Sequence, residues 1–395
     1  MEYLIIGNGV AGTTAAERIR DNDPSGRIVI VTEEPYPFYS RIMLINYLAG
    51  EMGEDALYLK PDSWYKDNSI ELLLNSRAER LDTVSRHVIL STGERPGYDR
   101  LLIATGGKSF VPPIKDAGKE GVFTIRGLDD AKRVLKYVEQ GNKNLILIGG
   151  GVLGLEVGNA LRKRGCTVTV VEFFPRLLPR HMDPQGAELL QKQMERMGFC
   201  FYLGAKSKEV IGRKAVDGLL LEDGRKIEGD IIVVSAGIRP DVELARNAGL
   251  KVNRGVVVDD RMETSVHDIY AAGDVAEHND RLYGIWPAAE QQGEVAGINM
   301  AGGSAIYRGT TPSNILKVAG IDLMAAGDID PEDRNEVYRF RDEERSLYKK
   351  LVFQNERLIG FILYGDISER VSLMKALKEG WNKEQVKKEV EWILN

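Results

Sequence analysis

The 395-residue sequence holds only 2 cysteines and 4 histidines. Cys166 and Cys200 lie 34 positions apart (200 minus 166), which excludes a Cys-x-x-Cys redox pair, a thiol-based zinc site and a disulfide framework. Both are expected to act as small core hydrophobes. His87, His181, His267 and His278 are scattered without ligand spacing, so no metal site is expected. Positive charge is not in excess either: 53 Lys and Arg stand against 59 Asp and Glu, a net of -6, which argues against a nucleic-acid surface. Long apolar runs are missing. The most apolar stretch, Leu145 to Leu161, is broken by glycines and Glu156 and falls short of the roughly 18 uninterrupted apolar residues of a membrane span. The amino terminus, Met1-Glu-Tyr-Leu-Ile-Ile-Gly7, enters a glycine motif at once, with no room for a basic and apolar leader. A reducing, cytoplasmic setting without membrane attachment is expected.

Glycine, in contrast, is plentiful at 42 residues, and each marks a place where backbone can turn sharply or approach something closely. With 43% hydrophobic and 28% charged residues the chain reads as globular, and its length suggests two or three domains of about 150 residues. An internal repeat organises it. Tyr3-Leu-Ile-Ile-Gly-Asn-Gly-Val-Ala-Gly12 recurs as Asn144-Leu-Ile-Leu-Ile-Gly-Gly-Gly-Val-Leu-Gly154, offset by 142 positions (149 minus 7). Each copy is a short apolar run, then Gly-x-Gly-x-x-Gly, then helix-compatible residues, then a second apolar run, Arg27 to Thr32 or Thr167 to Val171. The second runs end on Glu33 and Glu172, which follow the last motif glycine by 21 and 18 positions (33 minus 12; 172 minus 154). A lone Gly-x-Gly-x-x-Gly also marks ordinary strand-helix turns. Two copies with two spaced acids point to dinucleotide binding: glycines let backbone approach a pyrophosphate at a helix N-terminus, and the acid takes ribose hydroxyls.

Between the copies, Arg86 to Leu90 and Asp99 to Ala104 read as strands. After the second copy, Ile231 to Gly237 and Tyr270 to Asp274 are apolar strands ending on small residues. From about Thr310 the pattern changes to alternating strands (Val337 to Phe340, Leu347 to Phe353, Leu358 to Tyr364), then helices at Glu369 to Glu379 and Lys383 to Ile393. The expected architecture is α/β: two Rossmann-like, dinucleotide-binding domains with a C-terminal α+β domain. Residues 1-110 and 238-309 form the first, 111-237 the second and 310-395 the third.

The order Gly-x-Gly-x-x-Gly, Ala104-Thr-Gly106, a second Gly-x-Gly-x-x-Gly-x-Glu156, Ser235-Ala-Gly-Ile-Arg-Pro240 and Ala271-Ala-Gly-Asp274 resembles the FAD- and NAD(P)H-binding pyridine nucleotide-disulfide oxidoreductase superfamily. Within it, Glu33-Glu-Pro-Tyr-Pro-Phe-Tyr-Ser-Arg41 and Asn314-Ile-Leu-Lys-Val-Ala-Gly-Ile-Asp322 are similar to NADH:rubredoxin oxidoreductases and to the flavin part of nitrite reductase large subunits. The resemblance implies that Gly7, Gly9, Val10, Ala11 and Gly12 cradle the FAD pyrophosphate and Glu33 the adenosine ribose. It places Arg41 and Arg126 near the FAD phosphates and adenosine, Ala78 by adenine, Thr105 and Gly106 against the cofactor, and Gly273 with Asp274 at the ribityl chain. A helix opening at Trp286-Pro287 would point its N-terminus at the flavin, favouring negative charge there. Trp286 either contacts the flavin or fills an interface. Gly149, Gly151, Gly154 and Gly237 would hold the nicotinamide nucleotide, with Glu156 near the nicotinamide.

Glu172 accepts ribose hydroxyls and repels a 2'-phosphate, so NADH is favoured over NADPH, although Arg176 could reach a phosphate. The superfamily's thiol-based members need a cysteine just past the Arg41 region. Ser40-Arg-Ile-Met-Leu-Ile-Asn-Tyr-Leu-Ala49 has none, and Asn46 stands where a lysine occurs in several relatives. The resemblance therefore implies hydride transfer from NADH to FAD and onward electron delivery to a small carrier such as rubredoxin, with no catalytic side chain beyond cofactor placement. Three other readings stay open: an electron-entry subunit for nitrite reduction handing electrons to a separate reductase subunit, an NADH oxidase, and a non-catalytic FAD and NADH sensor. The charge-dense segment Pro331 to Arg345 reads as a solvated hairpin or strand edge, or else as a partner-docking surface. Oligomeric state is not legible.

Overall fold

A computed structural model describes residues 1-310, 313-318 (without side chains), 320-390 and 392. The chain divides into two compact units: Met1–Ile42, Gly53–Lys108 and Ile238–Thr311 form one, and Met43–Met52, Ser109–Gly237 and Pro312–Asn395 the other. No helix among the described residues is long and apolar enough to cross a membrane.

The first unit is built on a five-stranded parallel sheet in the order Ile269–Ala271, Arg100–Ile103, Glu2–Ile6, Arg27–Val31, Ile70–Leu73. Its inner strands are apolar runs rather than alternating ones because both faces are covered: Tyr3 to Ile6 and Ile28 to Val31 are all buried. Val31, Ile103 and Ala271 end level with Ile6, so Gly7, Ala104 and Ala272 leave the sheet at one carboxyl edge. On one side the helices Val10–Asn22 and Trp286–Met300 press together. A Cβ on Gly293 would stand 2.4 Å from the Ala11 carbonyl oxygen and one on Gly297 2.5 Å from that of Ala15, so only glycine permits this crossing.

The second unit repeats the plan, with the parallel order Phe199–Leu203, Thr167–Glu172, Asn144–Ile148, Ile231–Val234, Val122–Phe123. It also carries an antiparallel sheet in the order Ser313–Val318, Ile321–Gly327, Arg357–Tyr364, Leu347–Gln354, Glu336–Asp342. Six successive residues, Tyr348 to Phe353, are buried there, so this strand too is covered on both faces. Leu351 and Phe353 pack on Leu373 and Ala376 of the helix Arg370–Glu379. Tyr348 points the other way, against Gly186 in the helix Pro184–Arg196, where an added Cβ would meet its ring at 2.9 Å.

Two expectations need correction. Cys200 is exposed: it lies on the edge strand Phe199–Leu203, whose pleat turns Phe199 onto the helix Val152–Lys163 and leaves the opposite face to solvent. Cys166 is buried. The last helix covers only Lys383–Lys387, held by an Asn382 capping box, and Ile393 lies outside the described residues, as do parts of the Asn314 to Asp322 motif. The segment Pro331 to Arg345 does hold an edge strand, Glu336–Asp342, hairpin-paired with Leu347–Gln354, and from this segment Asp333 and Arg339 reach a buried ion cluster around Asp183 and Lys350.

Candidate functional site

In both units the strand-glycine-helix motif has the same internal geometry. Gly7 takes φ +115° and Gly149 φ +114°; a Cβ on Gly7 would stand 2.1 Å from the Ala104 carbonyl oxygen and one on Gly149 2.3 Å from that of Ser235. These first glycines make the tight turn off the strand. The third glycines bring the helix against that turn, since a Cβ on Gly12 would lie 2.0 Å from the Gly7 carbonyl and one on Gly154 2.4 Å from the Gly149 carbonyl. The middle glycines, Gly9 and Gly151, face open space with no atom within 4 Å. Each is also the N-cap of its helix, which has no side-chain cap and no acid in its first turn. Exposed N–H groups, the positive end of the dipole and a backbone without side chains together form a cradle for a pyrophosphate. The residues present therefore fit a dinucleotide at each motif.

Around the first loop, the turn of Thr105 and Gly106 is pinned by Asp241: the Thr105 hydroxyl donates to the Asp241 carbonyl at 2.8 Å, and Asp241 N–H donates to the Gly106 carbonyl at 2.9 Å. Gly273, at φ +85°, lies against Ala11, and its N–H donates to the buried Gln292 side chain at 2.8 Å. This sets the backbone that carries the half-buried Asp274. Val10 and Ala11 form the first turn of the helix Val10–Asn22. Trp286 opens its helix, with Pro287 in the first turn, and packs on Phe38 at 5.9 Å. Glu33 is largely exposed, with Arg77 3.9 Å away, whereas its neighbour Glu34 is engaged by Tyr39 and Arg41, both at 2.9 Å. Arg41 is thus oriented by an acid that motif spacing does not single out. Ala78 opens the strand Ala78–Asp82, opposite Leu90.

In the second unit, Glu172 folds back onto the glycine loop. Its carboxylate is buried and accepts from Gly150 N–H at 2.5 Å and Phe174 N–H at 2.7 Å. Arg176 donates to the carbonyls of Met182 and Pro179, each at 3.2 Å, so its guanidinium is spent within its own loop. Glu156 is half-buried on the helix Val152–Lys163. Gly237, at φ +101°, is open on its Cβ side. Arg126 belongs to this unit rather than to that of Gly7, and sits ahead of the helix Leu128–Glu139. Asn46 is exposed and donates to Glu51 at 2.9 Å. Sequence reasoning missed Asp183 and Gln292, whose buried side chains accept from backbone N–H groups and carry no motif signal.

Glu263, His267 and Asp268 each bring one ligand-type atom within 4.8 Å of the others. Asp268 is already paired with Arg86 at 2.7 Å and Arg100 at 2.9 Å, and those two cations oppose a metal there.

Comparison with known proteins agrees with this geometry. Residues 1–293 match the family model described as pyridine nucleotide-disulphide oxidoreductase, and 312–381 match the rubredoxin NAD+ reductase C-terminal domain. A nitrite reductase [NAD(P)H] of Bacillus subtilis is 35% identical over 96% of this chain and 47% of its own length; the chain spans about half the length of such relatives. An NADH-rubredoxin oxidoreductase of Clostridium acetobutylicum is 30% identical over 95% of this chain and 94% of its own. Its crystal structure superposes with a TM-score of 0.85, covering 98% of this chain and 99% of that one at 28% identity. A NAD-dependent persulfide reductase from A. fulgidus superposes with a TM-score of 0.90, covering 98% and 79% at 27% identity. With both dinucleotide cradles formed and the match running through them, the chain belongs to the pyridine nucleotide-disulphide oxidoreductase family, which binds FAD and NADH.

Proposed function

We propose that this protein is an FAD-dependent oxidoreductase that draws electrons from NADH and delivers them to a small electron-carrier protein of the rubredoxin type. In this reading residues 1-110 and 238-309 hold FAD, 111-237 take NADH, and 310-395 form the C-terminal domain. Bound FAD would supply the redox chemistry, accepting hydride from NADH and releasing electrons one at a time.

The chain's own residues bind and orient. Gly7, Gly9 and Gly12 admit one pyrophosphate, Thr105, Gly106 and Gly273 shape the carboxyl edge beside it, and Gly149, Gly151 and Gly154 admit the second. The N-terminus of the helix Trp286–Met300 favours negative charge in front of it. Glu172, buried at the loop, places a carboxylate where a 2'-phosphate would be repelled, and the engagement of Arg176 removes its natural counter-charge; both favour NADH.

The single observation that carries the proposal is the pair of equivalent open cradles in a chain whose segment Ser40 to Ala49 has no sulfur nucleophile. With the family's cofactor pair and no adjoining thiol, electrons must leave to an external acceptor. The rubredoxin-type acceptor rests on the relative of matching length and on the C-terminal domain match. The free cysteines support a cytoplasmic setting. The Bacillus subtilis relative favours one second reading, electron entry for nitrite reduction, with the acceptor on a separate subunit.

The test is an anaerobic visible-spectrum titration of the purified protein with NADH and separately NADPH, followed by oxidised rubredoxin. Bleaching by NADH and rapid reoxidation by rubredoxin is the expected result. Absence of flavin, or a flavin that NADH does not bleach, overturns the reductase assignment. Bleaching without reoxidation shifts the assignment to the nitrite-reducing acceptor or to a sensor.

A further inference from the structure

The connection Phe173 to Asp183 contains no helix or strand, yet it is firmly held at both ends. At its start, Glu172 accepts from Gly150 N–H at 2.5 Å. In its middle, Leu178 adopts a left-handed backbone (φ +48°) and donates its N–H to the Gly150 carbonyl at 3.1 Å. Gly150, the residue inside the Gly149–Gly151 cradle, is therefore held at its N–H by Glu172, where the stretch begins, and at its carbonyl by Leu178 within it. Leu177 lies over the same residue, 2.8 Å from where a Gly150 Cβ would stand. Arg176 ties the second half together through the Pro179 and Met182 carbonyls.

The far end is fixed by the C-terminal sheet. Asp183 caps the helix Pro184–Arg196 by accepting from Gly186 N–H at 3.0 Å. Its other carboxylate oxygen receives the Tyr348 hydroxyl at 2.6 Å and lies 3.2 Å from Lys350 Nζ. Lys350 is fully buried, and its ammonium also donates to the Asp330 carbonyl at 2.6 Å and to Asp333 at 2.9 Å, so its donors are satisfied. A buried ion pair gains little over apolar packing, but here Asp183 is held at once by Gly186 N–H, the Tyr348 hydroxyl and Lys350, which together fix its position. We infer that Lys350 and Tyr348 are positioning residues for nucleotide binding: through Asp183 they hold the Phe173 to Asp183 stretch, and through it the Gly149–Gly151 cradle. The C-terminal sheet thereby buttresses the nucleotide site. This rests on the reading that the second unit binds NADH.

The test uses the full-length flavoprotein. Tyr348→Phe removes one hydrogen bond from Asp183 and keeps the ring against Gly186. Lys350→Met combined with Asp183→Asn removes the buried Asp183–Lys350 pair without leaving Asp183 charged, Asp333 keeps Arg339 as its partner, and Asn keeps the helix cap. The expected result is a rise of about threefold to thirtyfold in the Kd for NADH. Amide exchange at 149-151 and 176-182 becomes faster, KM for NADH rises with kcat unchanged, and the bound-flavin spectrum stays that of wild type. Variants that bind NADH with wild-type Kd and exchange overturn the inference. If the double variant fails to fold, Tyr348→Phe alone decides. A wild-type protein that binds flavin but no NADH overturns the nucleotide-site reading itself, and the wild-type titration shows that separately.

Discussion

Gly12 stands so close to Gly7 that a Cβ on it would lie 2.0 Å from the Gly7 carbonyl oxygen, and Gly154 stands in the same relation to Gly149. The two outer glycines of each motif are thus required by the fold, whereas the middle one is not. Gly9 has φ -94° and Gly151 φ -81°, values open to any residue, and space in front. Gly12→Ala and Gly154→Ala are expected to destabilise the protein by about 1–3 kcal/mol through overpacking. Gly9→Ala is expected to leave apo-protein stability unchanged while FAD is lost on dilution or gel filtration. Melting curves with and without added FAD, together with flavin content, decide it. A Gly9→Ala protein that keeps its flavin as wild type does would show that this loop is not the cradle.

Glu172 and Arg176 make the nucleotide preference a matter of charge. The expected preference for NADH over NADPH is roughly tenfold or more, and Glu172→Gln narrows it, because the amide oxygen still accepts from Gly150 N–H, at the cost of the bond from Phe174 N–H, but no longer repels a 2'-phosphate. Dissociation constants for both nucleotides, measured on both proteins, check this. An unchanged ratio in Glu172→Gln would place the discrimination elsewhere.

Lys349 occupies the opposite face of its strand from Lys350 and lies 2.9 Å from Asp366 and 2.7 Å from Glu369. The hydrogen bond from Lys349 holds the Asp366 carboxyl down at about 2, below its ordinary 3.8. Because the folded state favours the carboxylate, this contribution to stability is complete above about pH 4 and is lost as pH falls toward 2. Urea midpoints of wild type and Asp366→Asn should therefore differ most above pH 4 and converge toward pH 2. A difference that persists unchanged at pH 2 would assign it to packing rather than charge.

Cys200 is exposed on an edge strand, and Cys166 is buried with its thiol pushed up by burial. A colorimetric thiol reagent is expected to titrate one cysteine quickly in the native protein and the second only after unfolding. Native reduction by NADH should survive the first modification. Two fast thiols, or loss of flavin reduction on modifying Cys200 alone, would contradict this placement.

Much of the site was legible because its signal is local. The Gly7 and Gly149 motifs, their following helices and the acids Glu33 and Glu172 lie within about twenty residues of one another, the span over which a strand, a tight turn and a helix settle their own geometry. The helix opening at Trp286 was equally readable from Pro287 in its first turn. The exposure of Cys200 was not legible, because the apolar composition around it does not reveal which face of an edge strand is left uncovered.

The sequence by itself determined two equivalent strand-glycine-helix turns and a Ser40 to Ala49 segment without cysteine, since glycine conformation, helix-end polarity and cysteine count need no partner from afar. Only the tertiary structure decided that Glu34 orients Arg41, that Arg176 is spent on its own loop, and that Lys350 meets Asp183. The last two are 167 positions apart (350 minus 183), and their meeting depends on which face of a strand packs on which helix. That choice is set by long-range burial, to which local spacing is blind.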